Sequence, residues 1–259
     1  MIDWVASLPW WLGSMLSAFL AITLGMSIYI ASHYSFGRNC DARTEDLAIN
    51  LFRILATLLS LLLSLTFADL REGISEVRQS VEAEASALGN TLRDLEAFDD
   101  AAAARAQTQL ITYLRSAVEE EWDQLRDGQI STRTMVLFGN AKQAIYDLEP
   151  KTSRQEKIHN RLIADISSVN STRASRLVYR GGSGRLLFLY VALAGFASTA
   201  ALLCTYPPRS KSLTFIAVYF GFFGVLTHIV FELGQFYEGL AAVTPEPLEF
   251  LLTLAKERY

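Results

Sequence analysis

Long uncharged apolar runs alternate with charged, helix-patterned stretches along this chain. Between Trp4 and Gly37 there is no Asp, Glu, Lys or Arg, and the same holds for Ile54–Ala68, Leu186–Pro208 and Ser212–Phe231. About 20 apolar residues cross the hydrocarbon as a helix. The first, third and fourth runs reach that length, and the second reaches it with its flank Leu47–Arg53. The pattern predicts four transmembrane helices at about 9–31, 47–70, 186–206 and 213–236. The first run lacks a basic leader and exceeds a signal core of about 7–15 residues, so a retained helix is expected.

Residues 71–185 read as helical throughout. Ile74, Val77, Val81, Ala85, Leu88, Leu92 and Leu95 repeat at helical spacing,. A second helix starts at an Asp cap near 99–100, carries Leu110, Tyr113, Leu114, Ala117, Val118, Trp122 and Leu125, and stops at Gly128,. A third runs from about Thr132 to Leu148, ahead of Pro150. A fourth follows "KTSRQE", where Thr152 or Ser153 with Glu156 can cap it,. No alternating strand pattern and no repeat appear. The expected fold is all-α, with four transmembrane helices and a cytoplasmic helical bundle inserted between helices 2 and 3. The corresponding segments are 1–70, 71–185 and 186–259.

Within the second run the few polar residues are not scattered. Asn50, Arg53, Thr57, Ser60, Ser64, Phe67 and Arg71 follow one another at steps of three or four, amid Leu, Ile, Phe and Ala. Such spacing keeps one seam of a helix facing a partner or an axis. Two readings compete. The hydroxyls can be packing contacts between close helices. Alternatively, several copies line a wet pore, with Arg53 and Arg71 as cationic rings, Thr57, Ser60 and Ser64 solvating ions, and Phe67 as an apolar constriction. Packing accounts for the hydroxyls but not for Arg53 on the same seam. A conduit accounts for all of them.

Composition and charge narrow the remaining options. The chain has 259 residues, is 51% apolar and carries a net charge of −4, which speaks against nucleic-acid binding,. Three histidines lie far apart, and no metal-binding, nucleophile-elbow or dithiol motif occurs, so neither enzyme activity nor a cofactor or metal is expected,. "EEEWD" at 119–123 reads as a solvated face. "YRGGSGRL" at 179–186 reads as a juxtamembrane hinge, since no strand precedes it and its spacing is not that of a phosphate loop,. His228 and Glu232, four apart on the last span, are intramembrane ionisable groups. They form either a snorkelling pair neutralised by an arginine or a proton or ion relay.

Four spans put both termini and 71–185 on one side. Lys and Arg near the spans favour that side: Arg71, Arg78, Arg173, Arg176, Arg180, Arg185, Lys256 and Arg258 against Arg38, Arg43, Arg209 and Lys211,. A cytoplasmic domain with cytoplasmic termini follows. Cys40 and Cys204 then share the opposite, oxidising side, where they either form a disulfide or stay reduced,.

The layout of two spans, about 110 helical residues and two further spans resembles the bestrophin-like domain family of bacterial membrane proteins. "LITYLRSAVEEEW" with Tyr113 and Trp122, "STRASRLV" with Arg173 and Arg176, and "FELGQFYEG" carry the likeness. That family is distantly similar to the bestrophins, which are pentameric anion channels. The resemblance implies a bacterial inner-membrane homo-oligomer, a pentamer, passing small inorganic ions with anions preferred. It also implies a pore lined by helix 2 and a cytosolic vestibule built from the helical segment. The acidic calcium clasp of animal bestrophins has no counterpart here. Two other roles are weighed against the channel: a membrane-anchored scaffold or sensor whose cytoplasmic helices bind a partner, and a proton-coupled transporter using His228 and Glu232.

Overall fold

The computed structural model describes residues 10–37, 41–179, 185–237 and 241–258, with the backbone alone for 185–187. Every regular element among these residues is helical. In chain order they are α1 (Trp10–Ser35), α2 (Ala42–Phe98), α3 (Ala101–Ser116), a π turn (Ala117–Glu121) running into α4 (Trp122–Arg126), α5 (Thr132–Tyr146), α6 (Ser153–Val178), α7 (Arg185–Leu202), α8 (Ser210–Leu233) and α9 (Glu246–Arg258). Four of them, α1, α2, α7 with its short extension, and α8, are long and apolar enough to cross a membrane.

The expected spans map onto these helices with one correction. Helix 2 does not end near residue 70; α2 runs unbroken for 57 residues. The sequence changes there from apolar to charged, but neither proline nor a capping residue stops the helix. Gly73, a weak helix former, lies in the helix where a Cβ would stand 3.0 Å from Phe236.

Two compact units divide the chain. The first comprises Met1–Glu72, Gly182–Gln235 and Gly239–Ala241; the second comprises Gly73–Gly181, Phe236–Glu238 and Ala242–Tyr259. In the first unit α1 and α8 cross closely because small residues meet. A Cβ on Gly224 would stand 2.6 Å from the Ser17 carbonyl oxygen, and one on Gly25 would stand 2.5 Å from the Phe220 ring. Ser17 Oγ donates to the Gly224 carbonyl at 3.0 Å across that crossing. Small residues let membrane helices approach until backbone packing and such bonds hold them. Around the crossing, Tyr29, Leu59, Phe196, Phe220 and Phe223 form the core, with Phe196 4.9 Å from Phe223 between ring centroids. Tyr29 Oη donates to the Tyr206 carbonyl at 2.8 Å, and His33 Nδ1 meets the Cys204 carbonyl at 2.6 Å. Gly224→Val would force a side chain into this contact. Overpacking costs about 1–3 kcal/mol, and about 2–4 °C in Tm accompanies each kcal/mol at this chain length. The variant is therefore expected to melt several degrees lower in detergent; an unchanged Tm would contradict the close crossing.

The second unit has the Asp100 and Thr152 caps expected from its sequence, and Ser131 adds a third. Asp100, Ser131 and Thr152 accept from the amides of Ala102 (3.2 Å), Thr134 (3.3 Å) and Gln155 (3.2 Å). Each satisfies an amide that the first helical turn leaves without a partner. Gly128, with φ of 71°, closes the α3–α4 run in the left-handed region,. Leu88, Leu95, Leu110, Leu114, Leu125, Ile145, Leu162 and Ile166 fill the interior.

Candidate functional site

Within the first unit the apolar part of α2 presents three faces. Phe52, Leu59 and Leu63 pack on the chain's own core: the Phe52 and Tyr219 rings are 5.7 Å apart, and a Cβ on Gly195 would lie 2.5 Å from Leu59. At 3.6 residues per turn the polar seam lies about a third of a turn away. Asn50, Arg53, Thr57, Ser60, Ser64, Phe67 and Arg71 are all exposed there. Leu51, Ile54, Leu58, Leu61 and Leu65 form the remaining face and are exposed too. Among the described residues no helix of the same unit covers the seam, so packing glue within one chain does not explain it.

Thr57 Oγ1 donates to the Arg53 carbonyl at 2.8 Å, and Ser60 Oγ donates to the Ala56 carbonyl at 2.9 Å. These back-bonds satisfy each hydroxyl proton inside the helix. What these two turn outward is oxygen lone pairs, while the donors left on the seam are Asn50, the Ser64 hydroxyl and the guanidinium groups of Arg53 and Arg71. Arg53 lies seven residues beyond Asp46, about 10 Å at 1.5 Å per residue,. A guanidinium facing hydrocarbon costs about 2.5–3.5 kcal/mol even on the lower insertion scales. That cost vanishes if the seam faces water.

His228 and Glu232 are both buried on α8, with Nε2 3.9 Å from Oε1. The His228 ring lies against Gly13 of α1, where a Cβ would stand 2.6 Å from Cε1. Glu232 is thus enclosed by its own unit, and among the described residues the basic side chain within 4.0 Å of it is His228 rather than an arginine. Cys40 and the "RGGSG" part of the hinge fall outside the described residues, and with them the disulfide.

The second unit holds a charged cluster that the spacing argument did not single out. Glu84 of α2, Glu121 of the π turn, and Arg173 and Arg176 of α6 are buried together. Arg176 Nε donates to Glu84 Oε2 at 2.9 Å, and its Nη2 donates to Glu121 Oε2 at 2.9 Å. Arg173 donates to the other oxygen of Glu121. Tyr113 Oη donates to Glu84 Oε1 at 2.7 Å, and Tyr237 Oη donates to the Arg176 carbonyl at 2.7 Å. The Arg176 guanidinium lies 5.0 Å over the Trp122 ring, and that of Arg173 lies 5.8 Å from the Tyr113 ring. Two anions and two cations cancel.

Burial pulls the Arg176 pKa down, but the Glu84 and Glu121 carboxylates outweigh it and leave it above its ordinary value. Burial, reinforced by Glu84, holds the Tyr113 hydroxyl well above its ordinary range; burial does the same to Tyr237. All three stay protonated at neutral pH. The reading of "EEEWD" as a solvated face is thus corrected: Glu119 and Asp123 are not buried, whereas Glu121 and Trp122 are. The signal was available. Glu121 stands four residues from both Ala117 and Leu125, on the apolar face, as Glu84 stands between Val81 and Leu88 and as Arg173 stands four after Val169.

Residues 19–248 match the family model of the bestrophin-like domain, and the chain belongs to that family. No curated protein and no solved structure matches it.

Proposed function

We propose that this membrane protein of the bestrophin-like domain family is one subunit of a homo-oligomeric ion channel whose pore is lined by the polar seam of α2. The observation that carries the reading is Arg53, exposed on an otherwise apolar span beside three exposed hydroxyl residues. Copies arranged around an axis bring the seam to shared water and offer the Leu face to neighbouring subunits or lipid. Arg53 and Arg71 attract anions, so anions are preferred. Phe67, an exposed ring on the seam, narrows the passage and hinders wetting,. The proposed assembly is a pentamer in a bacterial inner membrane, with the termini and the second unit cytoplasmic. Its role is passive transport rather than catalysis.

Flux from salt-loaded liposomes tests this reading. The wild type is expected to dissipate a chloride gradient, and Phe67→Ala to do so several-fold faster. Native mass in detergent accompanies the assay. A monomer or dimer with no flux would favour a membrane anchor for a partner-binding bundle and would sink the channel.

A further inference from the structure

The exposed seam of α2 does not begin at Asn50. Its rhythm of threes and fours continues back toward the start of the helix through Asp46 and Arg43, four and seven residues earlier. Seven residues return an α-helix to within about 20° of the same direction. Asp46 therefore shares the line of Arg53, and Arg43 shares that of Asn50 and Thr57. Both side chains are exposed. Among the described residues, no side chain pairs with those of Arg43, Asp46, Arg53 or Arg71. Asp41, by contrast, is used at the start of α2, where it accepts from the Thr44 amide at 3.2 Å.

The charges on the seam run Arg43, Asp46, Arg53, Arg71, so its two ends differ. Arg43 and Asp46 are three residues apart, about 4.5 Å along the axis,. That is well inside the Debye length of about 10 Å at 0.1 M salt, so an ion at that end meets nearly cancelled charge. Arg71, about 27 Å beyond Arg53, has no carboxylate on its line,. The carboxylates off the seam are matched at the two ends. Asp41 and Asp69 each precede an arginine by two residues and lie nearly opposite it around the helix; Glu45 and Glu72 each lie about a quarter turn away,. What distinguishes the two ends is Asp46.

We propose that Asp46 makes passage through the α2-lined pore depend on direction. As a ring of carboxylates it offsets the Arg43 ring at one mouth, so anions enter less readily there than at the Arg71 mouth. The inference rests on the pore of the proposed function and adds to it the residue that sets its rectification.

Single-channel currents of the full chain in planar bilayers test this, in symmetric KCl at about 0.1 M and about 1 M. At the lower salt the wild type is expected to pass about twofold or more current in one direction than in the other, at equal and opposite voltages. Asp46→Asn is expected to bring the ratio close to unity by raising the smaller current. Asp46→Glu should keep the ratio, and Arg43→Gln should steepen it. At about 1 M the Debye length shrinks to about 3 Å, and the wild-type asymmetry should fade. Equal wild-type currents at low salt overturn the proposal and leave the pore standing. So does an asymmetry that Asp46→Asn leaves unchanged, or one that survives at high salt. An asymmetry lost as completely in Asp46→Glu as in Asp46→Asn overturns it too, since side-chain shape rather than charge would then be responsible. A wild type with no conductance overturns the proposal together with the pore itself.

Discussion

Arg53→Glu is expected to turn an anion-preferring conductance into a cation-preferring one. A unit charge 4 Å from an ion contributes about 1 kcal/mol even in bulk water, and more near a low-dielectric wall. Several copies around one axis add, and the substitution changes each from attraction to repulsion. Since about 1.4 kcal/mol is tenfold, the permeability ratio should move by at least about tenfold. The reversal potential under asymmetric KCl reads it directly. Arg53 is exposed on its helix, so replacing it should leave the subunit folded. Arg53→Gln should fall between the two. A reversal potential that ignores all three side chains would remove Arg53 from the ion path.

The hydroxyls make a weaker contribution to this preference than their spacing suggests. In the structure the Thr57 and Ser60 protons are spent on the Arg53 and Ala56 carbonyls. An anion needs donors, so solvating it here means breaking a back-bond, at about 1 kcal/mol net. In the proposed pore, sign selection falls on Arg53 and Arg71, with the Ser64 hydroxyl as a further donor.

How much the sequence disclosed depends on which physical signal each feature left. The apolar runs disclosed the spans, because the hydrocarbon thickness imposes a length. The three-and-four spacing from Asn50 to Arg71 pointed to a seam; its seven positions are exposed, as is the Leu face beside them. Composition did not disclose the end of α2, because a change from Leu to Glu marks a change of solvent and not a change of backbone. It also misled at residues 119–123. A run of carboxylates is usually solvated, yet one member sat in apolar register, and register outweighs composition when a cation waits inside. A groove between α2 and α9, lined by Ala85 and Gly89 on one side and Phe250 and Leu254 on the other, left no local signal at all, since it depends on residues more than 150 positions apart meeting in space.

The buried cluster supplies the largest expected effect on stability. Arg176→Met keeps most of the side-chain volume but leaves Glu84 and Glu121 with one cation, Arg173, between them. Removing one partner of a buried ion pair costs about 3–5 kcal/mol, because the remaining charge stays desolvated. The penalty belongs to imbalance and not to the loss of a favourable bond. Arg176→Met combined with Glu84→Gln should therefore recover much of the loss. The pair Glu121–Arg173 is then neutral again, and the amide oxygen introduced by Glu84→Gln can still accept from the Tyr113 hydroxyl without carrying charge. Thermal or denaturant unfolding of the full chain in detergent measures both variants and Glu84→Gln alone, and the non-additivity of the three gives the coupling. A single variant costing less than about 1 kcal/mol would mean the four charges are not buried together. A double variant as damaged as the single would mean that Arg176 acts through packing on Trp122 and not through charge.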